Sequence, residues 1–311
     1  MISENYTNDE KIKISKNIKN ISFQDLDEDM NKLIKIGNKA DMISERSNIG
    51  NNVVDYFTFV KRLETKGKYN VNYFEFLVNL ETFREKKFIQ TMLKYYDDVK
   101  NKNKTKSEHK VLKEVYNICI SAINIMRPLT CMDIYTRFKS KRVLNFCAGW
   151  GGSMVAASAL NLEAFYGVEI NTSLIEPYDN MMTYLRTKSS TELIIQFADA
   201  ATFDYSSLNY DTVFVSPPYY FIEKYANNIE YKNKKEMDDK FYKPAFLNSY
   251  LHLKKDGHFI VNVCKEVYEN VLKNLFGEPD YKFPLKKSKR QNNHTEMVYV
   301  WNKKTELINS T

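Results

Sequence analysis

From residue 141 onward the chain alternates short apolar runs with stretches of helical spacing, and that alternation admits few folds. The apolar runs lie at 143–147, 165–168, 193–197, 212–215 and 258–263, and the helical stretches at 152–160, 173–186 and 237–251. Short runs without polar alternation suit strands buried on both faces, and strand–helix repetition builds a mostly parallel sheet covered by helices. Two later strand-like runs, 281–285 and 296–301, have no helix between them, so the sheet should end in an antiparallel hairpin. The expected class is therefore α/β and Rossmann-like, with a parallel sheet and a terminal hairpin.

The preceding 125 residues read differently. An amphipathic helix is expected at 23–37, and the first ~20 residues carry so few large apolar groups that fraying or disorder is expected there. Between 53 and 98 apolar residues recur every three or four positions (Val54, Phe57, Val60 and Leu63, then Phe74, Leu77 and Leu80), with a break at Lys66, Gly67 and Lys68. A lysine-rich linker at 101–110 precedes a helix expected to run from 111 to about 125, ended by Arg127-Pro128. The expected division is a helical region at 1–125 and a catalytic domain at 126–311. Lys61, Arg62, Lys66, Lys68, Arg84, Lys86 and Lys87 lie among aromatics there, either as a phosphate-contacting face or as a solvated helix surface.

Three of the nine glycines fall within Ala148-Gly149-Trp150-Gly151-Gly152, directly after the first strand. A strand that enters a glycine turn and then a helix brings bare backbone and free helix N–H groups against a ligand. The spacing is not the dinucleotide pattern G-x-G-x-x-G, and no Gly-Lys-Ser/Thr follows, which excludes a P-loop. The second strand ends in Glu169, about 20 residues past the glycines, where an acid can accept from both ribose hydroxyls of an adenosine cofactor. The third ends in Asp199, placed to accept from an adenine amine. Each acid alone reads as a surface or capping residue; three successive strand tips together read as a ligand site.

The fourth strand ends in Ser216-Pro217-Pro218-Tyr219. Two prolines hold the backbone extended and donate no N–H, so the neighbouring carbonyls point rigidly outward. A rigid carbonyl and a hydroxyl can both accept from a base NH₂ and aim its lone pair at an incoming methyl group, while the aromatic neighbour stacks on a flipped base. A plain proline turn is the bland alternative, made less apt by the glycine turn and strand-tip acids upstream.

On these motifs residues 127–301 resemble the S-adenosylmethionine-dependent DNA amino-methyltransferases that modify adenine N6 or cytosine N4, particularly phage and large-virus members, with the cofactor motifs ahead of the catalytic ones. The resemblance implies a class I methyltransferase sheet. It implies S-adenosyl-L-methionine held by Tyr135, Asn145, Ala148, Gly149, Gly151, Gly152, Glu169 and Asp199, and catalysis by Ser216, Pro217, Pro218 and Tyr219. Residues 254–257 look like the family's late loop, and 296–301 like its final strand. Two departures stand out. Asn145 occupies the position of a usual Asp, and the family's target-recognition domain is missing from its usual places, so the helical region, a protein partner or a second copy is expected to supply recognition.

Composition adds bounds. A net charge of +7 suits a polyanionic partner, DNA or alternatively RNA. The four cysteines and four histidines are scattered, so no metal site is expected. No apolar run approaches the ~20 residues that span a bilayer, and no apolar signal core is seen, so an intracellular, soluble protein with no membrane partner is expected. An RNA base-amine methyltransferase and a non-catalytic subunit of the same fold remain open alternatives.

Overall fold

The computed structural model describes residues 6–67, 69–221, 227, 229–285 and 296–304. Its strands are β1 (Arg142–Asn145), β2 (Ala164–Glu169), β3 (Glu192–Phe197), β4 (Thr212–Val215), β5 (His258–Val263), β6 (Tyr281–Pro284) and β7 (Met297–Asn302). They form one sheet in the order β3-β2-β1-β4-β5-β7-β6. The first five run parallel, and β7 lies antiparallel between β5 and β6. This is the expected α/β, Rossmann-like arrangement, a mostly parallel sheet with a terminal hairpin.

Strand order decides where a ligand can sit. β1 pairs with β2 on one side and with β4 on the other, in register Val143↔Thr212 and Leu144↔Val213. The chain winds outward in opposite directions from that pair, which opens a crevice beyond the carboxyl ends of β1 and β4. Alternate side chains feed the two sheet faces: Val143 and Phe214 join one core, Leu144, Val213 and Val215 the other.

The helices before the sheet are α1 (Asn8–Ile18), α2 (Phe23–Ile36), α3 (Asn51–Glu64), α4 (Tyr73–Val78), α5 (Leu80–Arg84), α6 (Lys87–Tyr95), α7 (Glu108–Cys119) and α8 (Pro128–Arg137). Those that follow are α9 (Gly152–Ala159), α10 (Ile175–Arg186), α11 (Lys234–Met237) and α12 (Lys243–Leu251), the last two joined by a π-helical turn at Asp238–Tyr242. Leu26, Met30 and Leu33 of α2 and Val53 and Val54 of α3 belong to the same core as α8, α9 and one sheet face. The remaining early helices enclose a separate core around Tyr73, Phe76 and Tyr116. Among the described residues no helix is long and apolar enough to cross a membrane.

Two expectations for the early region are corrected. Within the stretch expected to fray, residues 8–18 form a helix, because Thr7 and Glu10 make a reciprocal capping box and Ile14 and Ile18 are buried. Residues 1–5 lie outside the described residues. The helix expected to reach Ile125 stops at Cys119, where the Tyr116 carbonyl accepts from both Ile120 and Ser121. The apolar residues beyond it, Ile123 among them, pack from an irregular segment, and Pro128 opens α8 at its first turn.

Residues 120–127 pass close to two glycines. A Cβ on Gly67 would lie 1.6 Å from Ser121 Oγ, and one on Gly152 would lie 1.9 Å from the Met126 carbonyl oxygen. The segment thereby ties the early helices to the glycine turn.

Candidate functional site

β1 delivers the chain into Cys147-Ala148-Gly149-Trp150-Gly151, a turn with Gly149 at φ 58° and Gly151 at φ 88°, backbone that a side chain would strain. α9 begins at Gly152 without a side-chain cap, so its first N–H groups face the turn. The turn is anchored from β2 and α10. Ala148 N–H donates to the Val168 carbonyl at 3.0 Å, and Tyr178 Oη donates to the Gly149 carbonyl at 3.0 Å.

Glu169 sits at the tip of β2, buried, and accepts from Gly149 N–H at 2.6 Å and from Asn171 N–H at 2.9 Å, one through each oxygen. Burial pushes its pKa up to about 7, against the lowering effect of the N–H groups of Asn171, Gly149 and Ile170. Asn145 is committed within the protein: its amide donates to Ser153 Oγ at 2.9 Å and its oxygen accepts from Cys147 N–H at 3.0 Å. An Asp here could not donate to Ser153, which gives the departure a structural use. Asp199 follows β3, half-buried, with one oxygen accepting from Ala201 N–H at 2.9 Å.

After β4, Ser216 and Tyr219 turn toward Asn262 of β5, a fully buried residue that sequence reasoning missed. Asn262 Nδ2 donates to the Met297 carbonyl at 3.0 Å, which fixes the amide so that Oδ1 faces the loop. That oxygen accepts from Ser216 Oγ at 3.1 Å and, more weakly, from Tyr219 Oη at 3.4 Å. Tyr242 Oη donates to the Pro218 carbonyl. The Tyr219 phenol is held well above its usual pKa, first by burial and then by the Glu296 carboxylate. A polar residue interrupting the buried run 258–263 is the signal that could have drawn attention to Asn262.

These groups meet in one cavity of about 760 Å³. Asn145, Ala148, Gly149, Gly152, Glu169, Asp199 and Ser216 through Tyr219 all line it. Tyr135 and Gly151 do not. Tyr135 is buried in the core, its ring edge-on to Phe214 and its hydroxyl 3.4 Å from the Ser153 carbonyl. Gly151 faces Met181 instead. Trp150 of the glycine turn also lines it, as do Ile170 and Tyr231, which no motif announced, and Asp55 and Arg62 of α3 and Lys113 of α7 extend the wall.

Four of the basic residues singled out in the early helices are paired, while Lys86 and Lys87 are exposed. Lys61 pairs with Glu64, Arg62 with Asp55, Lys66 with Glu75, and Arg84 with Glu81. Lys68 lies outside the described residues.

No protein-family model matches the chain, and no curated protein matches it. Among solved structures it is similar to TrmN from Thermus thermophilus, at 16% identity over 57% of this chain and 48% of that one, TM-score 0.39. It thus spans about half of that protein's length. It is also similar to an RNA methyltransferase from Salinibacter ruber in complex with S-adenosyl-L-homocysteine, at 11% identity over 60% and 98%, TM-score 0.39. A third likeness is to the glycopeptide N-methyltransferase MtfA complexed with S-adenosyl-L-methionine, at 15% identity over 56% and 85%, TM-score 0.40.

Two stability measurements check this geometry. Gly152→Ala, at an ordinary φ, should lose about 1–3 kcal/mol or more in urea unfolding, because a backbone carbonyl must shift; no loss would show that the chain does not pass so closely. Asn262→Leu should cost about 1–3 kcal/mol by stranding the Met297 carbonyl and removing the acceptor of the Ser216 hydroxyl. Ser216→Ala should then be coupled to it by ~0.5 kcal/mol or more in a double-mutant cycle, whereas additivity would dissolve the pairing.

Proposed function

We propose that this protein is an S-adenosylmethionine-dependent methyltransferase acting on an exocyclic base amine of DNA, adenine N6 or cytosine N4. The observation that carries the reading is a single cavity in which the glycine turn, two strand-tip carboxylates and the Ser-Pro-Pro-Tyr loop meet.

The residues present fit the methyl donor. Gly149 offers bare backbone, and α9 offers uncapped N–H groups to a carboxylate. Each Glu169 oxygen takes one backbone N–H and keeps lone-pair capacity for a sugar hydroxyl. Ile170 adds apolar wall for a purine, and Asp199 an acceptor for its amine. When bound, S-adenosylmethionine supplies a methyl group on a positively charged sulfur, open to attack by a neutral amine.

The acceptor side follows from hydrogen-bond direction. Ser216 commits its proton to Asn262, so its lone pairs are left to accept from an incoming NH₂. The Pro217 carbonyl is a second rigid acceptor, since the Pro218 carbonyl is taken by Tyr242. Two acceptors on the amine protons direct the nitrogen lone pair away from the loop, and such positioning contributes on the order of 7–11 kcal/mol. Tyr219 offers a ring face to the base. Methylation at a ring carbon would instead call for a thiolate. Cys147, the cysteine lining the cavity, is held protonated by burial, with Glu169 and Asp199 adding to the effect. An RNA base amine is the second reading, favoured by the short connection from Tyr219 to α11, which leaves little room for a groove-reading domain.

Glu169→Ala should weaken S-adenosylmethionine binding by ~1.5–3 kcal/mol in calorimetry. The pH profile follows from the raised pKa. Below about 7 the acid is protonated and accepts hydroxyls less well, so affinity should fall as pH drops through that value. Glu169→Gln should flatten the profile, and a profile unchanged by this substitution would remove Glu169 from the site.

Tyr219→Ala should spare donor binding yet cut methyl transfer by ~1–3 kcal/mol of barrier, the contribution of base–aromatic stacking. Ser216→Ala should do likewise. The assay is transfer of labelled methyl to unmodified DNA and RNA, followed by nucleoside mass spectrometry. N6-methyladenine or N4-methylcytosine would name the base. Full activity of Tyr219→Ala, or label confined to ring carbons or protein, would sink the assignment.

A further inference from the structure

The cavity does not end at the donor and the base loop. Its wall continues onto the early helices through Asn51, Asp55, Arg62, Lys113 and Asn117. We propose that this end is a phosphate subsite, in which Arg62 and Lys113 take the phosphate ester attached to the target nucleoside. The proposal rests on the base-amine reading and names what the substrate must carry beside the amine.

Arg62 is 11% exposed, and one terminal nitrogen pairs with Asp55 Oδ1. Its Nε is buried with no hydrogen-bond partner. Asp55 is shared, because its other oxygen accepts from Lys19 Nζ at 2.6 Å. Lys113 lies over the rings of Tyr116, at 4.6 Å, and Tyr73, at 5.4 Å, and donates to Asn117 Oδ1 at 2.7 Å. Among the described residues no carboxylate lies within ion-pair distance of it. The neighbouring acids are engaged elsewhere, Glu64 by Lys11 and Lys61, and Glu75 by Lys66. Burial, and secondarily the Arg62 charge, lowers the Lys113 pKa to about 7.

Two cations, Arg62 and Lys19, therefore share one carboxylate while Lys113 has none, and a buried cation without an anion is costly unless something compensates it. The methyl donor compensates poorly, since its amino-acid end is a zwitterion and its sulfur carries a further positive charge. A phosphate ester brings one to two negative charges and several acceptor oxygens, to which an Arg fork and a Lys point charge are suited. Asn51 Oδ1, also buried without a partner, can accept from a sugar or phosphate hydroxyl. The phosphate can belong to a free nucleotide or to a strand, and the chemistry is the same.

The test uses the full chain and six probes: adenosine and cytidine, their two 5′-monophosphates, a short single-stranded oligonucleotide, and inorganic phosphate as competitor. Phosphate-bearing probes should bind roughly tenfold tighter than the nucleosides, and inorganic phosphate should compete. Preference shown by the monophosphates names a free nucleotide, and preference shown by the oligonucleotide alone names a strand; either supports the subsite. Lys113→Met strands no carboxylate, and it should abolish the preference while leaving the melting temperature and donor affinity unchanged. Equal binding of nucleosides and nucleotides would overturn the proposal. So would an equal loss of donor affinity in Lys113→Met, which would assign the cations to the donor. Phosphate preference without methyl transfer to any base amine would retain the subsite and reject the base-amine reading, so the two failures are distinct.

Discussion

The site depends on the parallel pairing of β1 with β4. Without it, the glycine turn and the Ser-Pro-Pro-Tyr loop, far apart in sequence, would have no reason to meet. Parallel strands cannot be joined by a tight turn, so β2, β3 and their helices must be threaded between them and laid to one side. That outward threading leaves the crevice, and it places four strand ends at its rim. The hydrogen-bond ladder Val143↔Thr212 and Leu144↔Val213 is short, yet it sets the relative height of both loops. A register slip of one residue would turn Val143 and Leu144 to the wrong faces and disrupt both cores.

Around that pair, backbone contacts do the fastening. Glu169 binds the Gly149 N–H, so the tip of β2 holds the turn after β1 through a carboxylate rather than through packing. The segment 120–127 presses its carbonyl against Gly152 and its Ser121 against Gly67. Helix-forming residues at those glycines would push the early helices off the sheet. Glycine serves two separate ends here: conformational freedom at Gly149 and Gly151, and absence of volume at Gly152, whose φ is ordinary.

What could be read from the sequence was periodic or chemically unusual. The alternation of apolar runs gave the sheet and its hairpin, since the runs are too short for helices and are separated by stretches of helical spacing. The turn at 148–152 and the prolines at 217–218 stood out because such residues are scarce in this chain. Less visible was anything set by long-range contact. Asn262 looks like a flaw in a strand until β4 and β7 lie beside it. The helix expected to reach Ile125 has the right spacing, but its apolar residues are used by an irregular segment instead. Tyr135 matched a motif and yet points into the core, because its helix packs that face on Phe214. In the basic cluster of the early helices, Lys61, Arg62, Lys66 and Arg84 were legible as charge but not as charge already paired, since their partners Asp55, Glu64, Glu75 and Glu81 are settled by folding.

The cavity is electrically lopsided, and this bears on how its ligands sort themselves. Glu169, Asp199 and Glu296 line one part, Arg62 and Lys113 another. Burial drives Glu169 up and Lys113 down to about the same pKa of 7, the same desolvation acting on opposite charges. They do not neutralise one another by contact, since Glu169 is bonded to backbone N–H groups and Lys113 to Asn117. Each group therefore gains from a ligand of the sign opposite to its own. A cationic ligand group is favoured beside Glu169 and an anionic one beside Lys113.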